Sequence, residues 1–215
     1  GLTRQNWKSA VLIVLAFVGI YIVRTVVSVA VQGVSDGSGM QHVKEWAAMF
    51  KNPMMWLNIA ALPINYFFVF IAFFGEEYGW RYYLQPVLQK RFGLRAGVII
   101  LGIVWGLWHI PDDLFYYTQT SGIQMIFAQQ ITCISLGIFF AYAYMKTQNI
   151  WVPVCLHYLN NNLIPIISGT FSADVLENQT VSWKDLPVAL VLNGLCFGFF
   201  LLADVFKKKE VQEEE

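Results

Sequence analysis

Long uninterrupted stretches of apolar residues dominate the chain, and short polar segments separate them. Six stretches predict membrane-spanning helices: Lys8–Val34, Pro53–Gly75 with a continuation, Arg95–Pro111, Gly122–Met145, Ile150–Gly169 and Leu186–Phe206. A spanning helix requires about 20 residues, and the third stretch reaches this length only with its flanks. Residues 10–23 lack the alternation typical of a membrane β-barrel strand. The pattern therefore predicts an all-α bundle of about six transmembrane helices.

Composition agrees with this prediction. Of the 215 residues, 57% are hydrophobic and 13% are charged, about half of the roughly 25% usual in soluble domains. Lys plus Arg and Asp plus Glu number 14 each, so no net charge attracts nucleic acid. These values exclude a soluble domain, a disordered chain and a nucleic-acid-binding protein. They predict one integral membrane domain over residues 1–215, in contact with the lipid bilayer.

Basic residues are distributed unevenly between the two sets of loops. Nine lie on one side: Arg4, Lys8, Lys90, Arg91, Arg95, Lys146, Lys207, Lys208 and Lys209. Three lie on the other side: Lys44, Lys51 and Lys184. Because loops rich in Lys and Arg stay in the cytoplasm, this asymmetry predicts that both termini are cytoplasmic.

Polar and ionisable residues that are costly to bury in lipid concentrate in three stretches. They are Glu76–Arg81, His109, and His157 together with Asn161. Measured along ideal helices, the members of these stretches lie about 17–22 Å from the nearest basic loop. We therefore expect Glu76, His109, His157 and Asn161 to line one cavity, open towards the cytoplasm or laterally to lipid.

Spacing within each helix separates the roles of these residues. Glu77 and Arg81 are four residues apart and can form an ion pair, with a structural or tuning role. Glu76 points about 100° away from Glu77 and is free for chemistry. His157 and Asn161 are also four residues apart and share a helix face. Taken singly, however, each histidine is equally consistent with a hydrogen bond that bridges two helices.

Two further expectations concern the neighbours of these groups. Gly75 and Gly79 lie four residues apart and predict a smooth helix face for close packing. Asp112 and Asp113 follow a proline and are assigned to a solvated loop.

The three polar stretches resemble the motifs of a known family, the CPBP (CAAX protease and bacteriocin-processing, or Abi) intramembrane proteases, related to the type II CAAX prenyl endopeptidases. The first stretch, EEYGWRYYLQPVLQKRFG (residues 76–93), resembles the EExxxR motif. The second, VWGLWHIP (residues 104–111), resembles the motif around His109, with Trp105 in place of the usual Phe. The third, residues 140–162, resembles HxxxN through His157 and Asn161. The resemblance covers about residues 70–165.

This resemblance implies a protease that hydrolyses a peptide bond within the membrane. By resemblance, Glu76 and His109 hold and activate a water molecule, while His157 and Asn161 stabilise the tetrahedral oxyanion. The implied partner is a peptide or protein substrate at a bacterial cell membrane. The opening segment GLTRQNWKSA is similar to the join that precedes the core of this family, so we expect about two further helices upstream.

Metal dependence stays open at the level of sequence. Glu76, His109 and His157 with a water molecule would satisfy the three-ligand pattern of catalytic zinc. The HExxH motif that would support zinc does not occur. Because Glu76 is needed as the general base, the sequence favours a reaction without metal or other cofactor.

Two other functions compete with this interpretation. A non-catalytic scaffold of the same fold would serve bacteriocin immunity or signalling by binding a partner. A small transporter or proton carrier would use buried Glu and His residues as a relay. A transporter predicts an inverted repeat or paired broken helices, and the sequence shows neither.

Overall fold

The computed structural model describes residues 6–169 and 172–207, and every regular element in these ranges is helical. The elements are α1 (Trp7–Ser35), α2 (Gln41–Met49), α3 (Pro53–Glu77), a π-helical segment (Tyr78–Leu84), α4 (Gln85–Phe92), α5 (Leu94–Trp108), α6 (Ile110–Phe115), α7 (Gly122–Thr147), α8 (Trp151–Ser168), α9 (Ala173–Glu177) and α10 (Asp185–Cys196). Two 3₁₀ turns, Gly198–Leu202 and Asp204–Phe206, follow α10. The predicted all-α bundle is therefore confirmed.

Four helical stretches in the described part of the chain are long and apolar enough to cross a membrane. They are Trp7–Ser35, Pro53–Phe92, Leu94–Phe115 and Gly122–Thr147. The helix α8 carries a histidine and three consecutive asparagines, which lower its hydropathy. The helix α10 has only 12 residues. A helical membrane bundle is thus shown, and the number of six spans stays a prediction.

The longest helical stretch changes its hydrogen-bonding pattern within the EExxxR segment. After α3, the chain forms seven residues of π-helix, and the amide of Gln85 donates to the carbonyl of Trp80, five residues back. Pro86 has no amide hydrogen, and its ring crowds the preceding turn. The wider π turn accommodates this proline without ending the helix, and it contains Arg81.

A second interruption determines the position of His109. The helix α5 ends one residue before His109, and α6 begins one residue after it. Pro111 cannot donate a hydrogen bond to the carbonyl four residues back, so the regular pattern stops here. The amide of His109 instead donates to the carbonyl of Gly106, which tightens the last turn of α5. The histidine therefore sits at the junction of two helices.

The helix α7 lies at the centre of the bundle and packs against both α5 and α1. At Gly102 of α5, a Cβ atom would lie 2.6 Å from the Cα atom of Ile134, so only glycine permits this approach. On another face of α7, Phe139 and Phe140 are fully buried. The ring of Phe17 in α1 stacks on Phe139, with ring centroids 5.6 Å apart. Aromatic packing thus holds α1 against α7.

The predicted close packing at Gly75 and Gly79 is wrong. A Cβ atom at either position would meet no atom within 4 Å. The packed face of this helical stretch is the one that carries Glu77 and Arg81, which are both fully buried. Glycine spacing predicts close approach only where a neighbouring helix covers that face.

Candidate active site

A buried ion-pair network joins α3, the π-helical segment and α8. The Oε1 atom of Glu77 accepts hydrogen bonds from Nη1 of Arg81 at 2.9 Å and from Nδ1 of His157 at 2.7 Å. All three side chains are almost completely buried. The Glu77–Arg81 pair is the one that the spacing predicts. The contact with His157 joins residues 80 positions apart, so no rule of helix spacing could reveal it.

Two aromatic rings cover the buried guanidinium of Arg81. The Cζ atom lies 4.4 Å from the ring centroid of Trp105 and 4.9 Å from that of Phe140. A desolvated cation–π contact stabilises by about 2 kcal/mol. Burying an ion costs several kcal/mol, and the rings and the Glu77 carboxylate offset part of that cost. Trp105 is the aromatic residue of the second motif, and this contact gives it a physical role.

Each of the two histidines has one ring nitrogen engaged. The Nδ1 atom of His109 donates to the carbonyl of Trp105, at 2.9 Å. The Nδ1 atom of His157 donates to Glu77. A histidine held through Nδ1 presents Nε2 on the other side of its ring, with a defined orientation.

A cavity of about 350 Å³ contains three of the four candidate catalytic residues. His109, His157 and Asn161 line it. Most other lining side chains are aromatic or polar, among them Trp105, Tyr116, Tyr117, Gln129, Thr132, Asn160 and Gln179. Glu76 is not among the lining residues, so the structure brings three of the four predicted residues together at this cavity.

The two adjacent glutamates occupy different environments. Glu77 is fully buried and accepts hydrogen bonds from Arg81 and His157, whereas Glu76 is partly exposed. In the described part of the chain, Glu76 has one side-chain hydrogen-bond contact, from Nε1 of Trp80 at 3.5 Å. This distance is at the long limit for such a bond. Successive side chains of a helix point about 100° apart, so Glu76 faces away from the buried network. Its carboxylate is therefore the one available as a general base.

The assignment of both aspartates to a solvated loop is wrong for Asp113. Asp112 is exposed, but Asp113 lies in α6 and is fully buried. The short helix α6 packs on α7, which removes one of its faces from solvent. A composition rule for loops could not detect this, because it ignores which face of a short helix is covered.

Tyr117 contributes a neutral hydroxyl group to the cavity from the segment after α6. Burial is the main cause that raises the pKa of Tyr117 to about 12, and the charges of Asp112 and Asp113 act in the same direction. The phenol is therefore protonated near neutral pH and can donate a hydrogen bond. Its backbone carbonyl accepts a hydrogen bond from the amide of Gln179, at 2.9 Å.

The cavity lies towards the helix ends opposite the basic turn at residues 90–95. The helix α5 starts beside this turn and has 15 residues, so its far end lies about 22 Å away. His109 and Tyr117 follow that far end, and both line the cavity. If both termini are cytoplasmic, this end faces the outside. The direction in which the cavity opens, towards the cytoplasm or laterally to lipid, stays a prediction.

The orientation itself is testable by labelling. In a variant with all three native cysteines replaced by alanine, we expect Phe92→Cys to react with an impermeant maleimide only after the cells are permeabilised. The control Gln41→Cys, at the opposite end of the bundle, should react in intact cells, since the basic asymmetry places it outside. Reaction of Phe92→Cys in intact cells would contradict the orientation.

Three of the basic residues on which the predicted orientation rests, Arg4, Lys208 and Lys209, lie outside the described residues.

The candidate metal ligands do not form a cluster in the described part of the chain. Within residues 6–169 and 172–207, no group of three or more His, Cys, Asp or Glu side chains is placed to hold one. Glu76, His109 and His157, the alternative zinc ligands, do not form such a group.

The stretch that contains the candidate catalytic residues matches a known protein family. Residues 56–163, about half of the chain, match the profile of the family described as Type II CAAX prenyl endopeptidase Rce1-like. CAAX prenyl protease 2 of Methanococcus maripaludis is 28% identical over 125 residues, which cover 54% of this chain and 45% of that protein. The chain thus spans about half the length of the curated relative it matches. No solved structure matches the chain significantly.

Proposed function

Because the chain belongs to the Type II CAAX prenyl endopeptidase Rce1-like family, we propose that it is an intramembrane endopeptidase. Its substrate is a membrane-associated peptide or protein. The observation that supports this proposal best is the polar cavity within an otherwise apolar bundle, where His109, His157 and Asn161 meet. The matched range contains these three residues as well as Glu76.

In the proposed reaction, Glu76 is the general base. A water molecule held by Glu76 and Nε2 of His109 attacks the carbonyl carbon of the scissile bond, and its proton passes to the Glu76 carboxylate. The same proton then moves to the leaving amine as the C–N bond breaks. A positioned base contributes about 10²–10⁴-fold to such a rate.

His157 and Asn161 stabilise the oxyanion in this proposal. Since Nδ1 of His157 already donates to Glu77, donation from Nε2 requires a second proton on the ring. The Glu77 carboxylate compensates the resulting positive charge. The Asn161 amide is a neutral donor. Fixed donors aimed at an oxyanion each contribute about 2.7–4 kcal/mol to transition-state stabilisation.

A non-catalytic membrane scaffold is the second candidate function. The absence of Glu76 from the residues that line the cavity favours it, because a scaffold needs no base there. Such a protein would bind a peptide or protein partner without cleaving it.

Peptide mass spectrometry distinguishes the two candidates. Membranes that contain the intact protein should release peptides that are missing from membranes with the Glu76→Gln variant. Candidate peptides are then incubated with the purified protein in detergent, to exclude another protease. If both proteins bind a captured peptide equally and neither cleaves it, the scaffold function is correct.

We expect cleavage to continue in the presence of metal chelators. Glu76 acts as the base in the proposed reaction and is not available as a ligand. Rates should be equal, within error, after dialysis against EDTA or incubation with 1,10-phenanthroline. A loss of activity that added zinc restores would contradict this prediction and would favour the three-ligand zinc site.

A further inference from the structure

We propose that Tyr21 and Asn160 are positioning residues that turn the side-chain amide of Asn161 towards the cavity. This inference rests on the proposed function, in which Asn161 is an oxyanion donor. It adds a first-helix residue to a site whose other members lie between residues 76 and 161.

A chain of two hydrogen bonds, which we call the relay, links Tyr21 to Asn161 through Asn160. The hydroxyl group of Tyr21 donates to Oδ1 of Asn160, at 2.5 Å. The Nδ2 atom of Asn160 donates to Oδ1 of Asn161, at 2.9 Å. Asn160 thus accepts with its oxygen and donates with its nitrogen, and its amide is held between Tyr21 and Asn161.

The direction of these bonds has a chemical consequence at Asn161. Its Oδ1 atom is occupied by Asn160, and its Nδ2 atom is the other polar atom of the same planar amide. Asn161 is exposed and lines the cavity, so its NH₂ group is the part available there. An oxyanion requires a donor, and an amide rotated by 180° would present its oxygen instead. In this arrangement, the two hydrogen bonds hold the Asn161 amide with its oxygen turned to Asn160 and its nitrogen left for the oxyanion.

Packing in α1 keeps the tyrosine hydroxyl group in place. Tyr21 is 5% exposed, and its ring lies 5.0 Å from the rings of both Phe17 and Phe197, measured between centroids. A buried hydroxyl group without a partner costs about 1–3 kcal/mol, so the bond to Asn160 is favoured over free rotation. Tyr21 lies outside the matched range of residues 56–163.

The chain offers matched controls for both relay residues. Tyr158 is also buried, and its hydroxyl group donates to the carbonyl of Leu62, at 2.7 Å. Asn162 follows Asn161 directly, but its Nδ2 atom donates to the carbonyl of Tyr158. Tyr158→Phe and Asn162→Ala therefore remove the same chemical groups without interrupting the relay.

Steady-state kinetics is the first test. We expect Tyr21→Phe to lower kcat about tenfold with KM unchanged, less than the roughly 100-fold loss for Asn161→Ala. Asn160→Asp keeps the acceptor for Tyr21 and removes the donor for Asn161, so it should lower kcat further than Tyr21→Phe. The variant Tyr21→Phe/Asn161→Ala should be no slower than Asn161→Ala. Both control variants should keep the wild-type kcat.

Nuclear magnetic resonance of asparagine side chains gives a second readout that requires no cleavage. In protein labelled with ¹⁵N-asparagine, Tyr21→Phe should shift the amide resonances of Asn160 and Asn161. Tyr158→Phe should instead shift that of Asn65, whose Nδ2 atom donates to the Tyr158 hydroxyl group at 3.1 Å.

The two readouts separate failure of the relay from failure of the proposed function. A wild-type kcat and unshifted Asn161 resonances in Tyr21→Phe would overturn the relay, even if Asn161→Ala is inactive. If Asn161→Ala cleaves at the wild-type rate, the oxyanion role fails, and the relay as a means of orienting that donor fails with it. If the wild-type protein cleaves nothing, the proposed function fails. The resonances then decide the relay alone, because shifted signals support it and unshifted ones overturn it.

Discussion

Replacement of Glu76 by glutamine is expected to lower peptide cleavage by a factor of about 10²–10⁴ without destabilising the bundle. Glutamine has nearly the same shape but cannot accept the proton of the attacking water. Glu76 is partly exposed, and its one side-chain contact in the described part of the chain is a long one, so the fold does not depend on its charge. Initial cleavage rates and thermal unfolding in detergent, measured on the same preparation, test both halves of this expectation.

The matched control for this variant is Glu45→Gln. Glu45 is an exposed carboxylate of α2, so its neutralisation should leave both the cleavage rate and the unfolding temperature unchanged. One result would reverse our assignment of the base. If Glu76→Gln retains substantial cleavage while Glu77→Gln is folded and inactive, the general base is Glu77.

Replacing either member of the Glu77–Arg81 pair is expected to destabilise the protein by about 3–5 kcal/mol. Glu77→Gln leaves the buried Arg81 without its countercharge, and Arg81→Ala leaves the buried Glu77 carboxylate with only His157 as a partner. The double variant removes both charges, so its loss should be smaller than the sum of the two single losses. The measurement is the free energy of unfolding of all four proteins in mixed micelles. Strictly additive losses would show that the two residues do not interact.

Glu77→Gln should also lower cleavage in molecules that remain folded. The carboxylate accepts from Nδ1 of His157 as well as from Arg81. Glutamine removes the negative charge that compensates a second proton on the His157 ring. Helix spacing predicts the pair with Arg81 and a mainly structural role for Glu77. The structure adds this second contact, and the prediction for Glu77 therefore includes a kinetic effect. Arg81→Ala keeps the acceptor for His157 and should cost less activity for the same loss of stability.

Where sequence reasoning was wrong, the missing information was which surface a neighbouring element covers. Gly75 and Gly79 have the right spacing for close packing, but no atom approaches that face. Asp113 follows a proline in a polar segment, but α6 folds back on α7 and buries it. Both outcomes depend on the three-dimensional arrangement of helices, which a periodic pattern along one helix does not contain.

The sequence by itself determined the helical membrane bundle, the family and the Glu77–Arg81 pair. Lipid cannot satisfy backbone hydrogen bonds, so long apolar stretches must form helices. Within a helix, residues four positions apart are always neighbours. Only the tertiary structure decided that His157 bonds to Glu77 and that Tyr21 bonds to Asn160, across 80 and 139 positions. It also decided that Glu76 lies outside the cavity lining. Contacts between distant helices depend on how side chains of different sizes pack together, and no local spacing rule encodes that packing.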